Sequence, residues 1–186
     1  MTILGMAGYA RSGKNTVGDI LAERGFEQRA FADKIREALV ALDPPLSFGR
    51  EGGLAELVER YGWDELKEQS PTTRELMQRM GTEVGRELFG ETFWIDQCLP
   101  LPANAEEETR TGLRFQDIVV TDVRFPNDVQ RIRDLGGYIW WIERGLQPVN
   151  DHPSDNSLSA ADCDLVIDND GTLDDLASKV YEALDG

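Results

Sequence analysis

The stretch Gly8-Tyr9-Ala10-Arg11-Ser12-Gly13-Lys14-Asn15-Thr16 constrains this chain more than any other. It follows a short apolar run, Ile3-Leu4-Gly5-Met6-Ala7, and opens a segment with apolar residues at Val17, Ile20 and Leu21. That spacing marks one helix face. A strand, a glycine-rich turn, a lysine, a hydroxyl residue and a helix, in that order, are what a phosphate-binding P-loop requires. The glycines let successive N–H groups turn inward. The helix N-terminus adds partial positive charge where a phosphate would rest. Lys14 would reach the β- and γ-phosphates as a point charge. The pattern G-x-x-x-x-G-K-[ST] puts a hydroxyl directly after the lysine, on Mg²⁺. Here Asn15 stands there and Thr16 follows, so the Asn15 amide oxygen, Thr16 or a water must serve. The alternative is an ordinary strand-to-helix turn with an incidental lysine, and the flanking patterns favour the P-loop.

At 186 residues the chain reads as one domain with a sizeable core. No apolar run reaches membrane-spanning length, and no basic region followed by a long apolar stretch opens the sequence. Neither a membrane span nor a secretory signal is expected. Cys98 and Cys163 lie far apart and form no disulfide framework, which suits a reduced, cytoplasmic setting. One histidine and no Cys/His cluster give no zinc signature. Nineteen basic against 35 acidic residues, a net charge of −16, argue against a broad basic face for duplex nucleic acid. An anionic small substrate remains compatible, provided that the few arginines gather at its site.

Along the chain, a first helix is expected from about Lys14 to Arg24, stopped by Gly25. Phe26 to Phe31 carries a weak strand signal. Asp33 reads as an N-cap, with Ile35, Ala38, Leu39 and Leu42 as the inner face of a helix that Pro44-Pro45 ends. From Ser47 to Pro102 the pattern is mostly helical. Leu54, Leu57, Val58 and Tyr61 share a face, and Gly62 closes that segment. Thr72-Thr73-Arg74-Glu75 has the form of a capping box, opening a helix with Leu76, Met80, Val84 and Leu88 inward. Pro100 to Gly112 reads as a polar connection. Strand signal returns at Phe115 to Val120, Tyr138 to Ile142 and Leu165 to Ile167. Pro126 suits a helix start, and Thr172 caps the last helix. This alternation predicts an α/β fold of P-loop type: a five-stranded parallel sheet with helices on both faces, a helical insert and a short lid. The expected core is 1–43 and 113–186, the insert about 44–112 and the lid about 144–162. Ligands of such sheets bind beyond the carboxyl ends of the strands.

Asp122 ends an apolar strand, where a P-loop protein can place a carboxylate for Mg²⁺. Its competing role is to cap the turn. Arg11, Arg36, Arg86, Arg124 and Arg144 could fork onto phosphate oxygens, although each alone is an ordinary surface arginine. His152, in Asp151-His152-Pro153-Ser154-Asp155, has no serine-nucleophile motif beside it, so a hydrolase triad is discounted. Trp63, Trp140 and Trp141 read as core, whereas Trp94 is kept as a residue that could stack on a base.

Four stretches occur in order: Gly8–Thr16, Leu76-Met77-Gln78-Arg79-Met80-Gly81-Thr82-Glu83-Val84-Gly85-Arg86, Val120-Thr121-Asp122-Val123-Arg124-Phe125-Pro126-Asn127-Asp128, and Asp151–Asp155. Together they resemble the bacteriophage-type deoxynucleoside monophosphate kinases, over most of the chain. The resemblance implies a nucleoside-monophosphate-kinase fold and transfer of the ATP γ-phosphate to a deoxynucleoside monophosphate. It implies that Gly8, Arg11, Ser12, Gly13, Lys14, Asn15 and Thr16 hold the ATP phosphates, with Asp122 serving Mg²⁺ beside Asn15 or Thr16. Arg36, Arg86 and Arg124 become candidates for the acceptor phosphate. Asp33, Gln78, Trp94, His152 and Ser154 join them as candidate substrate contacts. Lys14, Asp122 and Arg124 would carry catalysis. Arg144 falls at the lid, and Asn169, Gly171 and Thr172 fall where such kinases often contact adenine. Departures are Asn15, Asp128 and Asp155, where the family often shows Asp, Glu and Glu. If phage-encoded, the protein would work in the host cytoplasm, and its acidic surface does not forbid a homodimer. Two rivals are weighed. One is another small-molecule P-loop kinase, such as a dephospho-coenzyme A kinase. The other is a nucleotide-binding switch without a kinase acceptor.

Overall fold

The computed structural model describes residues 1–46, 52–99, 116–146 and 157–185. The chain divides into two compact units, Met1–Ala30 with Leu99–Gly186, and Phe31–Cys98.

The first unit is built on five short strands: β1 (Ile3–Ala7), β2 (Glu27–Arg29), β3 (Ile118–Val120), β4 (Tyr138–Glu143) and β5 (Leu165–Asp168). All pairings are parallel, in the order β2-β3-β1-β4-β5. The central strand β1 is buried along its whole length, as a strand covered on both faces must be. Its side chains alternate between the faces. Leu4 and Met6 pack with Val17, Ile20 and Leu21 of α1 (Lys14–Ala22) and with Leu176 and Val180 of α7 (Leu173–Asp185). On the opposite face Gly5 meets α6 (Pro126–Asp134). A Cβ there would come within 2.8 Å of Ile132 Cδ1. The expected α/β sheet with helices on both faces is therefore present. The weak signal at Phe26 to Phe31 is the real strand β2. Pro126 opens α6 at its first position. At the sheet edge Leu165 and Val166 stay 37% and 50% exposed.

The second unit is helical: α2 (Phe31–Leu42), α3 (Leu54–Gln69), α4 (Pro71–Arg79), a π-helix (Met80–Phe89) and α5 (Phe93–Cys98). It begins at Phe31, ahead of the insert expected from about 44, because α2 packs with the helices that follow it. Asp33 lies in the first turn of α2 rather than at its cap, and Leu42 is exposed instead of inward. Gly62 takes φ 75° and breaks α3, as its placement suggested. The cap before α4 is Ser70, whose Oγ accepts the Thr73 N–H at 3.2 Å, two residues ahead of the expected box. The inner face that follows differs most. Leu76, Met80, Val84 and Leu88 assume an α-helical period of four. The chain instead widens into π-helix, and Met80 and Gly85, five apart, turn inward. Val84 and Leu88 are left 37% and 69% exposed.

The expected connection from Pro100 to Gly112 lies outside the described residues, as do His152 and Ser154 of the expected lid. Among the described residues no helix is long and apolar enough to cross a membrane.

Candidate active site

The P-loop begins where β1 ends. Gly8 and Gly13 adopt φ 138° and 106°, which side chains with a Cβ rarely tolerate. Both are also crowded. A Cβ on Gly8 would lie 2.6 Å from the Ile142 carbonyl oxygen, and one on Gly13 would overlap Asn169 Nδ2. Arg11 carries φ 66° between them. The Ser12 N–H closes the turn onto the Tyr9 carbonyl at 3.1 Å. Lys14, the first residue of α1, folds back over the loop. Its Nζ donates to the Gly8 and Tyr9 carbonyls, 2.7 Å each. That places the ammonium at the helix N-terminus, where an anion is favoured twice over. The Ser12 hydroxyl is buried and has no hydrogen-bond partner among the described residues.

Three strands contribute to the rim. Gly8, Tyr9, Ala10 and Lys14 line one pocket together with Val123 and Arg124 after β3, Trp141 of β4, and Leu158. Trp141 meets the Tyr9 ring edge-on at 5.2 Å and donates its indole N–H to Glu143 at 3.0 Å. That bond holds the Glu143 carboxyl below the usual carboxylate range, against partial desolvation. The backbone N–H groups of Gly145 and Arg144 add to it, both donating to Oε1. The turn after β4 is thereby fixed, and Arg144 reaches the Arg11 carbonyl at 3.5 Å.

Asp122 follows β3 between two fixed backbone groups. The Thr121 N–H donates to the Arg29 carbonyl at 3.0 Å and the Val123 N–H to the Met6 carbonyl at 3.2 Å. Helix α1 approaches this corner closely, since a Cβ on Gly18 would sit 2.6 Å from Thr121 Cγ2. The middle of α1, at Gly18, is thus a neighbour of the turn that carries Asp122. Arg124 is held by Asp128, which is 3% exposed. One Asp128 oxygen accepts the N–H groups of Arg124 and Phe125 at 3.0 and 2.9 Å. Ionised acceptors make the stronger bonds of this kind.

Of the residues read as adenine contacts, Asn169 is tied down. Its Nδ2 donates to the Ser12 carbonyl at 2.8 Å. Thr172 caps α7 in a reciprocal pair with Asp175, through bonds of 2.7 Å and 3.2 Å. In the helical unit, Asp33 and Arg36 pair at 2.9 Å on one face of α2, and the Arg36 Nε has no partner among the described residues. Gln78 is exposed near the end of α4, and Arg86 sits in the last turn of the π-helix. Trp94, expected to be able to stack on a base, is largely buried. Its indole is 9% exposed, donates to the Gly81 carbonyl at 3.0 Å, and fills the space that the missing Cβ of Gly85 leaves. It packs within the helical unit, edge-on to Phe93 at 4.8 Å. Sequence reasoning missed Tyr9, Trp141, Glu143, Leu158 and the positioning carboxylate of Asp128. A signal existed for Asp128, an acidic residue three places into a Pro-started helix. None existed for Leu158, which the fold alone brings to the rim.

A glycine-cornered anion cradle at the carboxyl end of the central strand of a 2-3-1-4-5 parallel sheet defines a P-loop kinase. The family model for deoxynucleotide monophosphate kinase matches residues 59–180. The chain therefore belongs to the deoxynucleotide monophosphate kinase family. It is 28% identical to a putative deoxynucleotide monophosphate kinase of Acanthamoeba polyphaga mimivirus, over 100% of this chain and 97% of that protein. It is 32% identical to the deoxynucleotide monophosphate kinase of Escherichia phage RB69, over 60% of this chain and 44% of that longer protein. A dephospho-CoA kinase of Corynebacterium glutamicum is 28% identical over 99% of this chain and 96% of its own length. Among solved structures, a dephospho-CoA kinase from Campylobacter jejuni aligns with a TM-score of 0.46 and 12% identity, over 98% of this chain and 95% of that chain.

Proposed function

We propose that this chain transfers the γ-phosphoryl group of ATP to a deoxynucleoside monophosphate, giving the diphosphate. The observation that carries this reading is the cradle at Gly8 to Lys14 with the Arg124 turn on its rim. Membership of the family supports a deoxynucleoside monophosphate as the acceptor. An acceptor phosphate oxygen is already anionic near neutral pH, so the attack needs no strong general base. That oxygen forms the new bond to the γ-phosphorus as the bond to the ADP leaving oxygen breaks, in line. Catalysis is then positioning and charge neutralisation. Lys14 would swing from the loop carbonyls to the β/γ-phosphate oxygens. The loop N–H groups would hold the β-phosphate, and Arg124 would stabilise the transferred group. Arg144, beside Arg11, would steady the nucleotide from the β4 side. We assign acceptor recognition to Arg36, Arg86, Asp33 and Gln78 of the helical unit.

The donor set fits Mg²⁺. Among the described residues no group of three His, Cys, Asp or Glu side chains could hold a metal without help. Mg²⁺ in such sites takes only one or two protein oxygens and completes its shell with phosphate and water. Asp122, with Asn15 or Thr16 at the start of α1, would provide those oxygens. Bound there, Mg²⁺ would supply neutralisation of the phosphate charge.

A second reading, a dephospho-coenzyme A kinase, follows from the full-length likeness to the Corynebacterium glutamicum protein. A coupled ADP-release assay separates the two. Wild-type protein is given ATP, Mg²⁺ and, in turn, dAMP, dCMP, dGMP, dTMP, their ribonucleotide counterparts and dephospho-coenzyme A. Turnover with deoxynucleotides is expected. Turnover with dephospho-coenzyme A alone would move the activity to the second reading, and none with any acceptor would leave a nucleotide-binding protein.

A further inference from the structure

The Ser12–Gly13 peptide has two ends. Its carbonyl oxygen accepts from Asn169 Nδ2 at 2.8 Å, in a contact buried from solvent. A carbonyl oxygen only accepts, so the atom of Asn169 facing it must be the amide nitrogen. The peptide is trans, and in a trans peptide C=O and N–H point in opposite directions. Drawing the Ser12 carbonyl outward to Asn169 therefore aims the Gly13 N–H into the loop, toward the anion. Two features show that this contact is built in. Asn169 stands one residue past β5 and is anchored there, its own N–H donating to the Glu143 carbonyl at 2.7 Å. Gly13 leaves the space that the amide occupies, since a Cβ there would overlap Nδ2.

We propose that Asn169 is a positioning residue for the phosphate-binding loop, acting through the Ser12–Gly13 peptide and not through the nucleotide base. This rests on the P-loop reading above. It also accounts for Asn169 standing where an adenine contact was expected while its amide is spent on the loop.

The test compares two probes, tripolyphosphate and adenosine, alongside ATP, by calorimetry on wild type, Asn169→Asp, Asn169→Ala and Asn169→His. Asp fills the same space but cannot donate. His keeps a donor at about the same distance from the backbone. Asp and Ala are expected to weaken ATP and tripolyphosphate alike by about tenfold, the worth of one buried hydrogen bond, with adenosine unchanged. His is expected to recover most of that loss. Weakened adenosine binding with tripolyphosphate unaffected would make Asn169 a base contact and overturn the proposal. So would an Asp variant that binds tripolyphosphate like wild type. Should the variants not fold, the wild type still decides. The Gly13 amide proton must move strongly downfield on tripolyphosphate addition, and a stationary resonance overturns the proposal. Wild-type protein that binds neither ATP nor tripolyphosphate would instead overturn the P-loop reading itself.

Discussion

The two units hold their candidate residues by different means. In the sheet unit the partners are remote in sequence: Asn169 on Ser12, Arg144 on Arg11, and the Met6 carbonyl on Val123. In the helical unit they are local: Asp33 with Arg36, Asp64 with Lys67, Glu56 with Arg60, and Arg79 with Glu83. The acceptors of these remote contacts are backbone carbonyls, of Met6 in β1 and of Arg11 and Ser12 in the loop that follows it. Local pairs three or four residues apart on exposed helix faces are individually weak, at roughly 0.3–0.5 kcal/mol. The sheet unit thus presents a preformed cradle. The helical unit presents arginines whose partners are easily exchanged, which suits the acceptor-recognition role proposed for Arg36.

The sharpest way to break this comparison is Lys14→Ala. Loss of the charge should lower kcat/KM by at least about 10²–10³-fold, the scale of one preorganised charge-stabilising donor. The melting temperature should move by only about 2 °C, since no core packing changes. A Lys14→Ala enzyme keeping most of its activity would remove the cradle from the mechanism.

Gly85→Ala strikes the helical unit instead. A Cβ there would overlap Trp94 Nε1, so the indole must shift and leave the Gly81 carbonyl. We expect about 2–4 kcal/mol of destabilisation in denaturant melts. ATP affinity of the folded fraction should be retained. Matching losses of stability and ATP binding would erase the distinction between the units.

Asp128→Asn returns to the sheet unit and removes the charge that accepts the Arg124 and Phe125 N–H groups. A loss of about 1–2 kcal/mol in stability is expected. A fall in kcat larger than the rise in KM should accompany it, because Arg124 is displaced and the cradle is not.

A pH titration probes both units together. Hydrogen bonds lower Glu143, through Trp141, and Asp64, through Lys67, from their ordinary values of 4.5 and 3.8. A depressed folded value stabilises above the unfolded value, and that stability is lost as pH falls through the folded one. Melting temperature should therefore be flat above about pH 5 with respect to these groups and fall below it. Trp141→Phe should blunt the Glu143 share. A rise in stability on acidification through that window would contradict the hydrogen-bond assignments.

The smallest effect belongs to Leu88→Glu. Leu88 is 69% exposed on the π-helix, so a charge there should change stability by no more than about 0.5 kcal/mol. A loss of several kcal/mol would restore the α-helical inner face.

The same contrast explains what the sequence made legible. Strand runs such as Ile3 to Ala7 and Ile139 to Ile142 announce themselves because both faces are buried. The glycines at 8 and 13 announce the loop because few other residues take their backbone angles. The bond from Asn169 to the Ser12 carbonyl is not legible, since nothing local to Asn169 points at Ser12. The helical unit was legible as helices but not as faces. One change of period at Met80 rotated every later position and put Gly85 inward in place of Val84 and Leu88. That widening needs Trp94 to fill the Gly85 gap, a pairing no helical template contains.

The most direct measurement follows the phosphorus itself. Wild-type protein is mixed with γ-³²P-labelled ATP, Mg²⁺ and each deoxynucleoside monophosphate, and the products are separated. Label in the β-position of a deoxynucleoside diphosphate, absent with Lys14→Ala, is the predicted result. Label that stays in ATP, or appears only as inorganic phosphate, with every acceptor would contradict the account.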